Sequence, residues 1–206
     1  MALIATLTDN FNDNSRDTGK WTDNSSSQIL EQNAQLELTP KPNNTSSYSW
    51  DSVDTFDLTG SSISVKFASV SDTSINSSEV MLPRLYLDSN NHFKWSYYEN
   101  VIHVEKTVSG SGSTPYQIAY NSTNHAYVRI SESGGTISFD SSADGTNWTN
   151  CTTFANPFAI TALTVQFVVG QWVSKATGPT FALDDINIVP SAPSAFTPRS
   201  MLLGMG

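Results

Sequence analysis

The sequence predicts an all-β chain folded as a two-sheet antiparallel sandwich, and three observations lead there. Apolar and polar residues alternate with a period of two in one short segment after another, the pattern of strands with one buried face. No stretch keeps a 3.6-residue apolar period for more than a turn or two. Ser, Thr, Asn and Gly fill the gaps, and only 14% of residues are charged, so the surface is rich in hydroxyls and amides, as suits strands joined by turns. Roughly ten or more such strands, each with a single apolar face, need two sheets packed face to face. A propeller is disfavoured because no four-strand unit recurs at a fixed period.

In chain order, Ile4 to Phe11 reads as a first strand, Asn12 to Gly19 as a polar loop, and Trp21 as a cap on the core. Gln28 to Thr39 holds Ile29, Leu36 and Leu38 among polar neighbours and reads as one strand closed by Pro40 and Pro42. Tyr48 to Phe56 has no clear phase. Asp57-Leu58-Thr59-Gly60 is a turn before Ile63, Val65 and Phe67, which alternate with Ser64, Lys66 and Ala68.

Glu79 to Glu99 reads as a hairpin around Ser89-Asn90-Asn91, pairing Leu87 with Phe93, Leu85 with Trp95 and Pro83 with Tyr97 on one apolar face. The opposite face then carries Arg84, Tyr86, Lys94, Ser96 and Tyr98. Ile102 and Val104 point inward on the next strand. Ser109 to Ser113 is a flexible loop, and Tyr116, Ile118 and Tyr120 alternate beyond it.

Tyr127 to Trp148 is the clearest stretch. Val128 and Ile130 alternate on one strand and Ile137 and Phe139 on the next, with Ser133-Gly134-Gly135 as the bend. Pairing Ile130 with Ile137 and Val128 with Phe139 implies a four-residue loop. Asp144-Gly145 makes a tight turn from which Trp148 folds back as an apolar plug. Asn150 to Pro157 is a loop, Leu163 to Trp172 a strand with Val165, Phe167 and Val169 on one side, and Phe181 to Val189 the last strand. Its inward phase changes between Leu183 and Ile186, which marks Asp184-Asp185 as a β-bulge.

At 206 residues the chain supports one sizeable core, so residues 1–190 are expected to form a single domain. The net charge of −9 argues against nucleic acid, whose phosphates need clustered Lys and Arg, and against anionic membrane surfaces. Cys151 is the only cysteine, so no intrachain disulfide and no thiolate zinc cluster are expected; it reads as a small filler. The start, MALIATLTDNF, lacks a basic region, a long apolar run and a cleavage site, so no secretory signal is expected. No stretch has the length of a membrane span, so no membrane insertion is expected either.

Thr8-Asp9-Asn10-Phe11 with Trp21, Gln35-Leu36-Glu37-Leu38, Tyr127-Val128-Arg129-Ile130, Ser142 to Trp148, and Phe181 to Ile186, taken in this order, resemble the concanavalin A-like lectin/glucanase superfamily over residues 4–189. The resemblance implies a jelly-roll β-sandwich, found in lectins, carbohydrate-binding modules, laminin G-like domains and glycosidases. Glucanases of that superfamily carry two catalytic acids on one strand in a Glu-x-Asp-x-x-Glu run or a relative one residue shorter, and neither is present. Glu79, Glu99, Glu105 and Glu132 read as isolated, solvated acids, and His92, His103 and His125 as structural or surface residues. The expectation is therefore a protein that is not an enzyme.

Three candidate sites follow. Sugars are held by aromatic rings against their C–H faces and by planar polar groups on their hydroxyls, so Arg84, Tyr86, Lys94, Ser96 and Tyr98 form a candidate glycan-binding face. First and last strands of jelly rolls commonly lie side by side, which could bring Asp9, Asp184 and Asp185 together as a candidate calcium site completed by backbone carbonyls. Residues 191–206, SAPSAFTPRSMLLGMG, form an extended Pro-containing tail whose Met201, Leu202, Leu203 and Met205 are a candidate assembly anchor.

An acidic jelly roll with such a tail resembles the surface proteins of bacteriophage virions, either head decorations and fibres or tail components. That implies virion subunits as partners through the tail, cell-surface or environmental glycans as ligands, and a place on the virion surface after synthesis in the host cytoplasm. A homo-oligomer is left open. The alternative is an extracellular lectin or carbohydrate-binding module of a secreted protein.

Overall fold

In the computed structural model residues 1–72 and 77–190 are described. The chain opens with β1 (Ala2–Leu3), followed by a 3-10 turn at Ile4–Thr6. Next come β2 (Trp21–Asn24), β3 (Ile29–Gln32), β4 (Gln35–Leu38), β5 (Ser47–Ser52), β6 (Phe56–Asp57), β7 (Ser62–Val70) and β8 (Ser78–Asp88). The second half adds β9 (Asn91–Tyr98), β10 (Val101–Val108), β11 (Ser111–Ala119), β12 (Tyr127–Ser133), β13 (Thr136–Ser142), β14 (Thr149–Ala155), β15 (Thr164–Gln171) and β16 (Phe181–Asp184).

Two antiparallel seven-stranded sheets result. The first runs β11-β10-β9-β8-β15-β5-β2 and the second β14-β13-β12-β7-β16-β4-β3, while β1 pairs in parallel with β6. The late strand β15 is inserted between β8 and β5, and β16 between β7 and β4, so the middle of each sheet is closed from the end of the domain.

The inner faces carry the alternating apolar residues read from the sequence. Ile63, Val65 and Phe67 of β7, Val128 and Ile130 of β12 and Ile137 and Phe139 of β13 meet Phe93, Trp95 and Tyr97 of β9 and Val165, Phe167 and Val169 of β15, all at most 2% exposed. Rings lock the layers: Trp95 and Phe93 pack edge-on against Phe139, and Tyr97 against Phe67 and Phe181. Trp95 Nε1 donates to the Arg129 carbonyl across the interface, which satisfies the one polar atom that this indole buries.

Several elements differ from the sequence reading. Ile4 to Phe11 is no continuous strand: it turns at Ile4–Thr6 and returns to the ladder only through a bridge between Asp9 and Ile186. Gln28 to Thr39 is a hairpin of two strands, turning at Asn33 and Ala34, both with positive φ. Trp21 is buried in the core rather than capping it. Trp148 lies under the Arg129 guanidinium, 4.4 Å away, on the outward face of the second sheet, and is no core plug. Ser109-Gly110 is a two-residue turn and β11 begins at Ser111, where a loop is expected; Thr149–Ala155 is likewise an edge strand.

Both main hairpins pair two residues away from the register read in the sequence, β12–β13 through a tighter turn and β8–β9 through a bulge between Tyr86 and Asp88. Ile130 faces Phe139 and Ser133 faces Thr136, so the turn is Gly134-Gly135 alone. Its φ angles of 57° and 82° are those that a two-residue hairpin requires and glycine supplies without strain. Likewise Leu85 faces Phe93 and Asp88 faces Asn91. Leu82 and Pro83 fall in a register shift between Met81 and Arg84, so Pro83 does not pair with Tyr97, which faces Val80.

Candidate functional site

Because Leu85, Phe93, Trp95, Ile102 and Val104 turn inward, alternation sends Arg84, Tyr86, Lys94, Ser96, Tyr98, His103 and Glu105 to the outer face of the first sheet. The site is built there. Lys94 Nζ lies 2.6 Å from Glu79 Oε1 and 2.9 Å from Glu105 Oε2. Ser96 Oγ donates to Glu105 Oε2 at 3.1 Å and the Tyr98 hydroxyl to Glu105 Oε1 at 3.2 Å. Arg84, the cross-strand partner of Lys94, donates through Nε to Gln166 Oε1 at 2.7 Å and holds its guanidinium 4.8 Å from the Tyr86 ring centre.

An aromatic ledge borders this ionic centre. Tyr98 stacks on His103 with ring centres 3.8 Å apart and planes 3° apart, and Trp172 stands edge-on to Tyr98 at 5.7 Å. Trp172 is 45% exposed, so a large apolar ring is offered to solvent beside a hydrogen-bonding cluster.

Two hollows flank the centre. One, about 350 Å³, is lined by His92, Lys94, Glu105, Thr107, Ser113 and Thr114 toward the β11 edge. The other, about 170 Å³, lies toward β5 among Ser47, Glu79, Met81, Val168, Gly170 and Trp172. Lys94 and Glu105 line the first and Glu79 the second, so the ion-paired centre forms the saddle between them.

The electrostatics follow from burial and pairing. Burial alone would push the Glu105 carboxyl up, but the Lys94 charge and the hydrogen bonds from Lys94, Ser96 and Tyr98 outweigh it and hold Glu105 below the usual carboxylate range. Burial, and then the Glu105 charge, push the Tyr98 phenol up, so it stays a donor at neutral pH. Burial lowers His103, whose ring is neutral at pH 7 and whose two nitrogens have no hydrogen-bond partner. Withdrawing two acids and a lysine from water returns little folding stability, and an apolar trio would serve folding at least as well. Such a cluster on an outer sheet face has the character of a binding centre.

Two expectations are corrected here. Glu79 and Glu105 are not isolated solvated acids; strands β8 and β10 bring them to either side of Lys94. Glu132 is 6% exposed and accepts from the Gly60 and Gly135 amides, clamping two turns. Glu79, Glu105, His103 and Trp172 were absent from the sequence-derived face, although the inward phase of Ile102 and Val104, and of Val165 to Val169, already directs Glu105, His103 and Trp172 outward.

The other candidates are placed as follows. Asp9 accepts from Trp21 Nε1 at 2.8 Å and from the Phe11 amide, whereas Asp184 and Asp185 face Lys66 Nζ at 3.0 and 3.5 Å. The Asp9 backbone does meet Ile186, yet its carboxylate takes other partners than the Asp184–Asp185 pair, which shares Lys66, and among the described residues no group of three or more His, Cys, Asp or Glu is placed to hold a metal ion. Met201, Leu202, Leu203 and Met205 lie outside the described residues. No helix among the described residues is long and apolar enough to cross a membrane.

Sheet order and layering together define a concanavalin A-like jelly-roll sandwich. Among solved structures that share the fold are a prokaryotic β-1,3-1,4-glucanase (lichenase) derived from a mouse hindgut metagenome, a laminarinase from a Flavobacterium, and a legume lectin-like domain from Entamoeba histolytica. The lichenase is 10% identical with a TM-score of 0.63, over 87% of this chain and 96% of that one. The laminarinase is 10% identical with a TM-score of 0.65, over 88% and 97%. The lectin-like domain is 11% identical with a TM-score of 0.58, over 81% and 88%. No protein-family model and no curated sequence matches the chain.

These structures overturn the expectation that the chain is not an enzyme. Most of the similar structures are glycoside hydrolases, and the supposed lack of an acid pair fails on the meeting of Glu79 and Glu105. The single-strand acid run sought in the sequence is only one way to bring two carboxyls together; two strands flanking a third are another.

Proposed function

We propose that the protein binds a polysaccharide chain across the outer face of the first sheet. The observation that carries this reading is the saddle of Glu79, Lys94 and Glu105, edged by Tyr98 and Trp172 and open to a hollow on each side. A pyranose offers C–H faces to Trp172 and hydroxyls to fixed carboxylates, an ammonium and a phenol, which can bond in both directions. Glycan-array screening followed by calorimetry on the best oligosaccharide tests it. Trp172→Ala, at an exposed position, is expected to weaken binding at least about tenfold, or about 1.4 kcal/mol. Tyr98→Phe keeps the ring and is expected to lose several-fold. Binding untouched by either change would move the site elsewhere.

A second reading, hydrolysis of the bound glycan, is favoured by one observation: the Glu79 and Glu105 oxygens both lie within 2.9 Å of one nitrogen. That proximity suits the short separation of about 5–5.5 Å found in retaining glycosidases. Glu105, kept ionised by its partners, suits the nucleophile. Glu79, on the other side of Lys94, is then the candidate for the acid role. Release of reducing ends from the bound polysaccharide, abolished in Glu105→Gln, is the expected result in the same experiment.

The setting is a proposal resting on sequence alone: a bacteriophage surface, reached through residues 191–206, or the extracellular space as a module of a secreted protein. Recovery of the native protein on purified particles or from culture medium separates the two.

A further inference from the structure

We propose that the 170 Å³ hollow beside Trp172 receives the acetamido group of an N-acetylated amino sugar. The inference rests on the glycan-binding reading above and narrows its ligand. The hollow has two kinds of wall. Met81, Val168 and Trp172 are apolar, and Val168, though on the outer face, is only 3% exposed. Glu79 and Ser47 are polar, as are Thr45 and Gln171 at its margin. Gly170 lies between them, and any side chain there would begin 2.8 Å from Ser47 Oγ, so the missing Cβ gives the hollow its depth.

Each common sugar substituent can be set against these walls. A ring hydroxyl would leave the apolar wall facing a polar group. A carboxylate would meet the Glu79 charge with no cation lining the hollow. A free amine would satisfy Glu79 and leave the apolar surface uncovered. An O-acetyl or O-methyl group has no N–H to give. An acetamido group matches all three features: its N–H donates to the Glu79 carboxylate, its carbonyl accepts from the Ser47 hydroxyl, and its methyl covers Met81 and Val168. The sugar ring then lies toward Tyr98 and Trp172. Glu79, already 2.6 Å from Lys94 Nζ, ties this substituent to the ionic centre.

The test is a glycan array carrying N-acetylated, de-N-acetylated and 2-hydroxy forms of the same oligosaccharides, read with wild type, Val168→Thr and Trp172→Ala. Preference for the N-acetylated forms by about tenfold or more, reduced several-fold by Val168→Thr while binding of the 2-hydroxy forms is unchanged, is the expected result. Val168→Thr keeps shape and changes polarity, and its thermal melting confirms the fold. Binding that ignores the substituent but falls in Trp172→Ala would overturn the acetamido assignment and leave the glycan-binding reading standing. Preference for N-acetylated forms that Val168→Thr does not alter would remove the assignment from this hollow. Silence toward every form would overturn both.

Discussion

Glu31 occupies an inward position on β3, between Ile29 and the chain's turn, where an apolar residue is the norm; it is 9% exposed and its Oε1 has no hydrogen-bond partner. Burial, then a hydrogen bond to Asp13 and the charges of Asp13 and Asp9, push its carboxyl up to about 7 against an ordinary 4.5. The folded protein therefore keeps this proton at pH values where the unfolded chain has released it. Between about 4.5 and 7 the group favours folding less as pH rises, and its contribution is fully lost above the folded value. Glu31→Gln mimics the protonated form. Its melting temperature relative to wild type is expected to be higher at pH 8 than at pH 5 by at least about 2 °C, the shift that about 1 kcal/mol produces in a chain of this size. A difference that does not change with pH would show that the carboxyl ionises freely.

The same residue was invisible in the sequence for a physical reason. Alternation assigns faces from apolar residues, and a buried acid at an inward position breaks the pattern locally. Lys94 and its acids were half legible for a related reason. Alternation placed Lys94, Ser96 and Tyr98 on one outer face, but nothing in a linear sequence says that β8 and β10 flank β9 so that Glu79 and Glu105 reach the same ammonium.

Among elements, the β12–β13 hairpin shows how far a strand pattern can be read. A period of two fixes which face a residue takes, and a register error of two leaves every face correct. Both hairpins carry such an error, in β12–β13 because the turn sets the register and in β8–β9 because a bulge between Tyr86 and Asp88 shifts it. In β12–β13 the turn is Gly134-Gly135, whose amide at Gly135 donates to Glu132 at 2.6 Å. A Cβ at Gly135 would meet nothing within 4 Å, so a substitution there is opposed by its φ of 82° alone. Gly135→Val is expected to cost about 1–2 kcal/mol and lower the melting temperature by roughly 2–8 °C, measured by calorimetry; an unchanged melt would mean the turn can be rebuilt. The start of edge strand β11 and the edge strand β14 read as loops because they have little buried face to give a period: the nine residues of β11 are exposed except Tyr116, which is half-buried.

At the scale of the molecule, topology decides which parts depend on which. The sequence could supply the number and faces of strands, and hence two layers, but their order is set by pairings between distant segments: β15 joins β8 to β5, and β16 joins β7 to β4. Neither sheet is contiguous without them. A chain ended at residue 162 would retain twelve strands of the two large sheets in four separate fragments with four new unpaired edges, and is expected to show no cooperative thermal transition and no protected amide core by hydrogen exchange. A two-state melt in that fragment would show that one layer stands alone.

The late insertion of β15 and β16 also sets the order of events during synthesis. As the polypeptide leaves the ribosome, β5 and β8 emerge with their facing edges unsatisfied, as do β4 and β7, and each pair must wait for a strand still to be translated. Until then the nascent chain displays open ladders and an uncovered apolar interior, the condition in which chains stick to one another and holding chaperones are engaged. For this domain, closure of both sheets waits on residues 164–184 rather than proceeding strand by strand from the start.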